Sequence, residues 1–448
     1  MKKIFLIFGI GTMSLASFAQ GSFNAIKTSQ RAGILSTLIN PAEMAGMPQK
    51  VDIHLFGMDV NVNNSLVSLS STNTSKFDNP KELFFGNKSD GKPFNATIGI
   101  DVLGPGVAYA VNKKTTFGLM TRARVMFTMN DIDLNLGKSL LNTSVNDIAS
   151  GYKINTNSQS FSTLNWFEIG ASGATSLLNS DRHSLKIGGT VKAIFSGFYA
   201  NTYLSQANMN VRVDSANKTA YLSGTGTLGM TYTNPNISDI AGNVMGSPSG
   251  FGVDAGISYQ YKNVKTGKYI VRAGVALNDI GFTKFTLDQK NNKEYTVTAN
   301  NVDVSKYISS DLDKVQSELK ANGVIQEVNK TETEIEVKLP MAINVYADVN
   351  VWKPFFVTLQ MQQRASSNDN PRNLMANNYF AITPRIVSRF IEIYTPFTFT
   401  ENAGNMIGAG MKVGPLYFGS SSIISAIASE SQQVDFHFGI RMGFGKNK

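Results

Sequence analysis

Residues 434–444 alternate strictly. Val434, Phe436, Phe438, Ile440, Met442 and Phe444 are large and apolar, and Asp435, His437, Gly439, Arg441 and Gly443 between them are polar, charged or glycine. Side chains of a strand point to opposite faces in turn, so this segment has one greasy face and one wet face. About ten residues is also the length at which a tilted strand crosses a bilayer. The pattern recurs in residues 341–352, where Met341, Ile343, Val345, Ala347, Val349 and Val351 oppose Ala342, Asn344, Tyr346, Asp348, Asn350 and Trp352. After a Lys353-Pro354 turn, Phe355, Val357, Leu359 and Met361 oppose Phe356, Thr358, Gln360 and Gln362.

Strand-like segments begin at Val51, and the phase changes past Gly57, which predicts a bulge there. They continue at 95–103, 107–111, 115–128, 163–177, 185–199, 251–261, 269–277, 379–386, 389–398, 406–413 and 416–423, with weaker candidates at 209–213 and 220–230. The count predicts one closed antiparallel transmembrane β-barrel of about 14 strands. The tight turn at 112–114 belongs on the periplasmic side, further hairpins turn around 179–182 and 262–268, the polar stretch 73–94 reads as a loop, and 130–159 reads as a long outer loop.

Two segments break the period. In residues 20–47, Ala25, Ile26, Ile34, Leu35, Leu38 and Ile39 recur at helical spacing, and Asn40-Pro41 ends the run. This predicts a short helix or folded segment at the barrel mouth or inside it. In the insertion 291–338, Val304, Ile308, Leu312, Val315 and Leu319 recur at three- and four-residue steps. A single amphipathic helix in an outer loop is expected there, capped by Asp303 or Ser305.

The N-terminus places Lys2-Lys3 before an apolar run and small residues up to Ala19, the arrangement of a secretory signal peptide. The domain reading is therefore a leader at 1–19, a hatch segment at 20–50 and a barrel at 51–448. No other stretch offers the ~18 apolar residues of a membrane helix. A membrane-embedded chain of this kind has only a closed barrel open to it, because lipid satisfies no free backbone group. The 42% hydrophobic fraction suits alternate apolar positions, and there is no Cys to form thiolate metal sites. The net charge of +9 is spread along the chain, which argues against nucleic acid and fits basic loops against anionic outer-membrane lipid and lipopolysaccharide. The expected location is the outer membrane of a Gram-negative bacterium.

The chain has three His. His54 and His437 lie on the polar faces of the first and last strands, which meet when a barrel closes, with Asp52 and Asp435 beside them. Two imidazoles and two carboxylates could bind a metal or move a proton. A polar lumen wall also requires such residues, Arg441 included, and that plainer explanation is adopted. No Gly-x-Ser-x-Gly, His-Glu-x-x-His or P-loop pattern occurs, so no catalytic residue, metal or cofactor is assigned. The inward faces read as Asn, Gln, Thr, Tyr and Phe with few charges, which fits a plugged barrel or one that passes an apolar ligand.

The order of features resembles the FadL-like outer-membrane proteins, which include fatty-acid transporters and the PorV type. The resemblance rests on Asn40-Pro41-Ala42 after an N-terminal segment, and on Leu339-Pro340 leading into the 341–351 strand. It implies a hatch that plugs a 14-stranded barrel, and passive passage of small apolar or amphipathic molecules. The alternative it carries is a non-transporting scaffold that holds exported proteins at the surface. No ligand-binding residue set carries over.

Overall fold

The computed structural model describes residues 23–66, 93–134, 151–214, 216–233, 248–287, 292–307, 312–328, 330–366, 372–374, 376–428 and 431–447. The leader at 1–19 and nearly all of the loop at 73–94 lie outside these residues.

One antiparallel sheet contains all the strands among the described residues. In chain order they are β1 (Val51–Asn64), β2 (Phe94–Ala110), β3 (Thr115–Ile132), β4 (Tyr152–Asn179), β5 (His183–Asp214), β6 (Thr219–Tyr232), β7 (Gly250–Lys262) and β8 (Tyr269–Thr286). Then follow β9 (Asn292–Asp303), β10 (Ile325–Val328), β11 (Glu334–Lys338), β12 (Ala342–Trp352), β13 (Phe355–Arg364) and β14 (Tyr379–Val387). The chain ends with β15 (Ile391–Tyr394), β16 (Phe397–Thr400), β17 (Gly404–Ile407), β18 (Ala409–Val413), β19 (Leu416–Ser420) and β20 (Gln433–Phe444). The wall runs from β1 through β5, then β7, β8, β12, β13 and β14. It continues through the β15–β16 and β17–β18 ribbons to β19 and β20. β20 then pairs with β1 from Val51↔Phe444 to Asn63↔Gln433, which makes a closed barrel of 14 strands. Closure leaves no free backbone edge in lipid.

The alternation seen in the sequence sets the two faces of this wall. On β20, Val434, Phe436 and Phe438 are 40, 51 and 40% exposed, while Asp435, His437 and Arg441 are 5, 1 and 5% exposed. Apolar side chains point out and polar ones point in, the reverse of a soluble globule and the pattern of an outer-membrane barrel. Tyr109, Tyr261, Trp352, Phe390 and Phe444 are exposed beside the short turns or at the last strand's end. Together they form an aromatic belt at the periplasmic rim.

Several sequence expectations are corrected. The supposed loop at 130–159 is shorter, because β3 runs to Ile132 and β4 starts at Tyr152. The segments 389–398 and 406–413 are each broken, at Thr395-Pro396 and at Gly408, so each yields two collinear pieces. The bulge in β1 falls between His54 and Phe56, just before Gly57. The insertion at 291–338 holds the expected α-helix together with strands that the sequence did not announce. It contains β9, β10, β11 and a helix α1 (Leu312–Ala321) shorter than the apolar period implied. Asp303 accepts from Ser305 N at 3.0 Å, so it caps a separate 3-10 turn, Ser305–Tyr307. β6, β9 and β10 extend from the outer half of β5 as an annex to the wall. Their own core of Met209, Tyr295, Val297, Val324 and Ile325 holds the annex together.

The hatch is a chain of turns with two short helical segments, both 3-10, Gly33–Leu38 and Pro41–Met44. Positive φ at Phe23, Ala25 and Gly33 breaks helical continuity. Asn40-Pro41 starts the second segment instead of ending the first: Asn40 is its N-cap, Pro41 its first residue.

Candidate functional site, a plugged lumen and the chamber above it

The hatch enters the lumen from the periplasmic end, since Lys50 N bonds Phe444 O at the base of the first and last strands. Its apolar residues Phe23, Ile26, Ile34, Leu35 and Met44 are buried in the interior. Its seat is made of glycine. A Cβ on Gly188 of β5 would lie 2.6 Å from Ala42 N and 2.7 Å from Pro41 C, so backbone rests on backbone there. Gly256 of β7, paired with Gly188, makes room for the Asn40 side chain, and so does Gly274 of β8. Asn40 uses its amide fully. Oδ1 accepts from Ala42 N at 2.9 Å, and Nδ2 donates to Ile257 O at 2.8 Å and to Tyr346 Oη at 3.3 Å. The Asn40-Pro41-Ala42 motif is thus the docking point of plug on wall.

Charged groups clamp the same plug from the sides. Arg272 of β8 donates to Glu43 Oε2 at 3.3 Å and to Asp348 Oδ2 at 3.3 Å, and also to Thr28 O. Burial works against the Glu43 carboxylate. Arg272, Lys186 and the hydroxyls of Ser258 and Tyr346 outweigh it, and its pKa falls below the ordinary value. Ser29 Oγ donates to Glu392 Oε2 at 2.7 Å, and Glu392 is paired with Arg385 at 3.1 Å. Arg385 donates in turn to Thr28 Oγ1 at 2.9 Å. These pairs are buried, so removing either partner leaves an uncompensated charge.

The lumen residues singled out on the terminal strands fall into separate contacts. His54 stands opposite Arg441 and His437 opposite Asp59, so the two imidazoles are not neighbours. His54 Nδ1 lies 3.0 Å from Gly104 O, which only accepts, so Nδ1 carries the proton and Nε2 accepts from Tyr417 at 2.9 Å. His437 Nε2 lies 3.0 Å from Tyr394 Oη. Phe23 of the hatch packs against both assemblies, 6.3 Å from the Tyr417 ring and 6.0 Å from His437. Its backbone N–H donates to Asp59 at 2.8 Å. Asp435 is elsewhere, accepting from Ser421 N at 2.7 Å and Ser422 Oγ at 2.6 Å ahead of a short helix, α2 (Ile423–Ala428). Arg441 reaches the hatch through Arg31 O and bonds Asp52 of β1. Among the described residues, no group of three or more His, Cys, Asp or Glu is arranged to hold a metal ion.

Above the hatch lies a chamber of about 130 Å³, floored by Lys27, Thr37 and Leu38. Its wall corrects the expectation of an interior with few charges. Asp101, Arg122, Arg124, Glu168, Lys192, Asp254 and Asp279 all line it. Arg122 bonds Asp101 (Nε–Oδ1 2.7 Å) and Glu168 (3.3 Å), Arg124 bonds Asp279 (2.8 Å), and Lys192 bonds Asp254 (2.8 Å) and Asp279 (2.6 Å). The belt spans β2, β3, β4, β5, β7 and β8. Trp166, Tyr199, Phe285, Val337 and Leu339 form a buried cluster that meets the belt where the Arg124 guanidinium lies 4.7 Å from the centre of the Trp166 ring. A second, polar cavity of about 200 Å³ shares Thr97 and Asn377 with the chamber and continues between Asn130, Asp131, Arg364 and Glu401. Sequence reading missed the belt because each strand contributes one or two charges, which face one another only across the closed sheet.

Lys27 stands apart from this network. It is 4% exposed, and its ammonium sits 5.6 Å from the centre of the Tyr379 ring. Burial first, and Arg122 second, bring its pKa down from 10.5 to about 8.

Solved barrels with similarity along nearly the whole chain include the Ralstonia pickettii toluene transporter TbuX, at 12% identity and TM-score 0.42, covering 96% of this chain and 97% of that one. The P. putida toluene transporter TodX matches at 8% identity and TM-score 0.43, covering 91 and 93%. A Pseudomonas aeruginosa FadL homologue matches at 9% identity and TM-score 0.41, covering 96 and 100%. No curated protein matches the chain. The model of the family of unknown function DUF5723 matches residues 41–421, from the docking motif almost to the last strand, and the chain belongs to that family.

Proposed function

We propose that this protein is a hatch-gated outer-membrane channel for passive passage of small amphipathic molecules. The observation that carries the reading is the Gly188 seat: the plug rests on the wall by close backbone contact and hydrogen bonds, with no covalent tie beyond residues 48–50. Such a contact can open as a unit while the barrel stays closed. The chamber beyond it offers both apolar and charged wall, which suits an amphipathic solute better than a bare hydrocarbon. Proteoliposomes carrying the whole chain are expected to pass small amphipathic solutes. Gly188→Val fills the seat and is expected to raise the rate several-fold. A whole chain and a variant that both match protein-free vesicles overturn the reading.

The scaffold alternative rests on one feature, the annex of β6, β9, β10 and α1 built outward from β5. Photo-crosslinking from residues 292–328 in cells tests it. Capture of a defined exported protein, together with absent solute flux, favours the scaffold.

A further inference from the structure

Most charges around the chamber are committed to one another, but three groups keep capacity that the wall does not use. The ammonium of Lys27, on the floor, has no hydrogen bond or ion pair among the described residues. Glu168 of β4 accepts from Arg122 through Oε1 at 3.3 Å, and its Oε2 is buried without a partner. Asn344 of β12 donates through Nδ2 to Asn278 at 3.2 Å, and its Oδ1 is buried without a partner. All three are more than nine-tenths buried and line the same chamber. One is a cation; the other two are acceptors, one of them a carboxylate. Buried polar groups without partners are costly, and a ligand that supplies complementary charge recovers that cost on binding.

We propose that the chamber is a binding site for a small zwitterion, with a carboxylate bonded by Lys27 and an ammonium held on the acceptor side of the wall by the Glu168 carboxylate. Leu38, Met120 and Pro340 offer the apolar contact for its remainder. The size agrees. A space of about 130 Å³ holds roughly four waters at about 30 Å³ each, and therefore a solute of fewer than about ten non-hydrogen atoms. The smaller free α-amino acids have this size and both charges. A hydrocarbon or a simple anion would leave one or more of the three groups unanswered. Bound carboxylate also offsets the burial that depresses the Lys27 pKa. The proposal rests on the channel reading and names its substrate class.

The chain has two Trp, Trp166 beside the chamber and Trp352 exposed at a periplasmic turn. Trp352→Phe therefore leaves a single fluorescent reporter in the full chain. Free amino acids are titrated into this protein in detergent, with calorimetry alongside. At least one is expected to bind saturably, and its N-acetyl and methyl-ester forms at least tenfold more weakly. Lys27→Met is expected to reduce the free amino acid to the affinity of its methyl ester, and Glu168→Gln to that of its N-acetyl form. Absence of saturable binding by any amino acid, equal binding of the blocked forms, or full affinity in both variants overturns the proposal. The flux change in Gly188→Val is independent of these readings. Raised flux without binding leaves the channel and removes the zwitterion site; binding with no flux at all removes the channel.

Discussion

Arg441 on the last strand bonds Asp52 on the first, with Nε 2.8 Å from Oδ1 and a second contact through the other guanidinium nitrogen. Neither side chain is more than 5% exposed. The same guanidinium bonds Arg31 O and lies where a Cβ on Gly33 would fall. Asp52 also accepts from Ile34 N at 3.1 Å. One ion pair thus spans the seam of the barrel and holds the plug against it. Arg441→Met strands a buried carboxylate and is expected to cost about 3–5 kcal/mol, read as a lower urea midpoint for the heat-modifiable folded band. Adding Asp52→Asn is expected to recover part of the loss. An Arg441→Met barrel as stable as the parent would show that the seam does not depend on this pair.

Asn40 supplies the N-cap of the second hatch turn and its hydrogen bond to Ile257 O. Asn40→Ala is expected to loosen hatch docking by about 1–2 kcal/mol. Hydrogen exchange should quicken by roughly tenfold across residues 33–45 while the β7 and β8 amides hold their protection. Unchanged exchange in the hatch would remove the motif from the docking contact.

Docking of the hatch should depend on pH through Lys27. Its pKa is about 8 when buried and 10.5 when free, so between these values the released form binds more protons than the docked one. Docking therefore strengthens as pH rises from about 8 towards 10.5, and the gain is lost as pH falls back through 8. Asp59 and Asp101 oppose the shift and Arg122 and Arg124 add to it, so the variant isolates the lysine. Lys27→Met is expected to dock about as tightly at pH 7 as the parent does above 10, and to lose this part of the dependence. Protease nicking of the hatch measured from pH 7 to 10.5 checks the sign; a parent more readily nicked at the higher pH contradicts it.

Phe438 lies on the outer face, 40% exposed, beside inward His437. Phe438→Arg is expected to destabilise the barrel in lipid vesicles by about 2–4 kcal/mol, and Phe438→Leu to have little effect. For a residue on a soluble surface the arginine would be neutral or favourable, so folding yield in vesicles separates the two placements.

Much of the wall was legible because a strand's period is two. Val434–Phe444 states its inward and outward residues without reference to any partner, and strand count and closure follow from repeating that pattern. Asn40-Pro41 marked a boundary correctly but not its direction, since an Asn-Pro pair suits the start of a turn as well as the end of a helix. The helix of the insertion was placed too early because Val304, Leu312, Val315 and Leu319 share a period, although Val304 lies outside α1, and only a sheet partner could reveal β9 and β10.

The alternating face order of the chain was sufficient by itself to decide a lipid-facing barrel, because burial against hydrocarbon acts on each residue separately. Tertiary structure alone decided the interior. Asp101, Arg122, Glu168 and Asp279 are far apart in the chain and become a charged belt only when their strands curve into a ring. Gly188, Gly256 and Gly274 become a seat only when the hatch is laid across them. Electrostatic pairing and close backbone approach depend on distances between segments, and no local period encodes those.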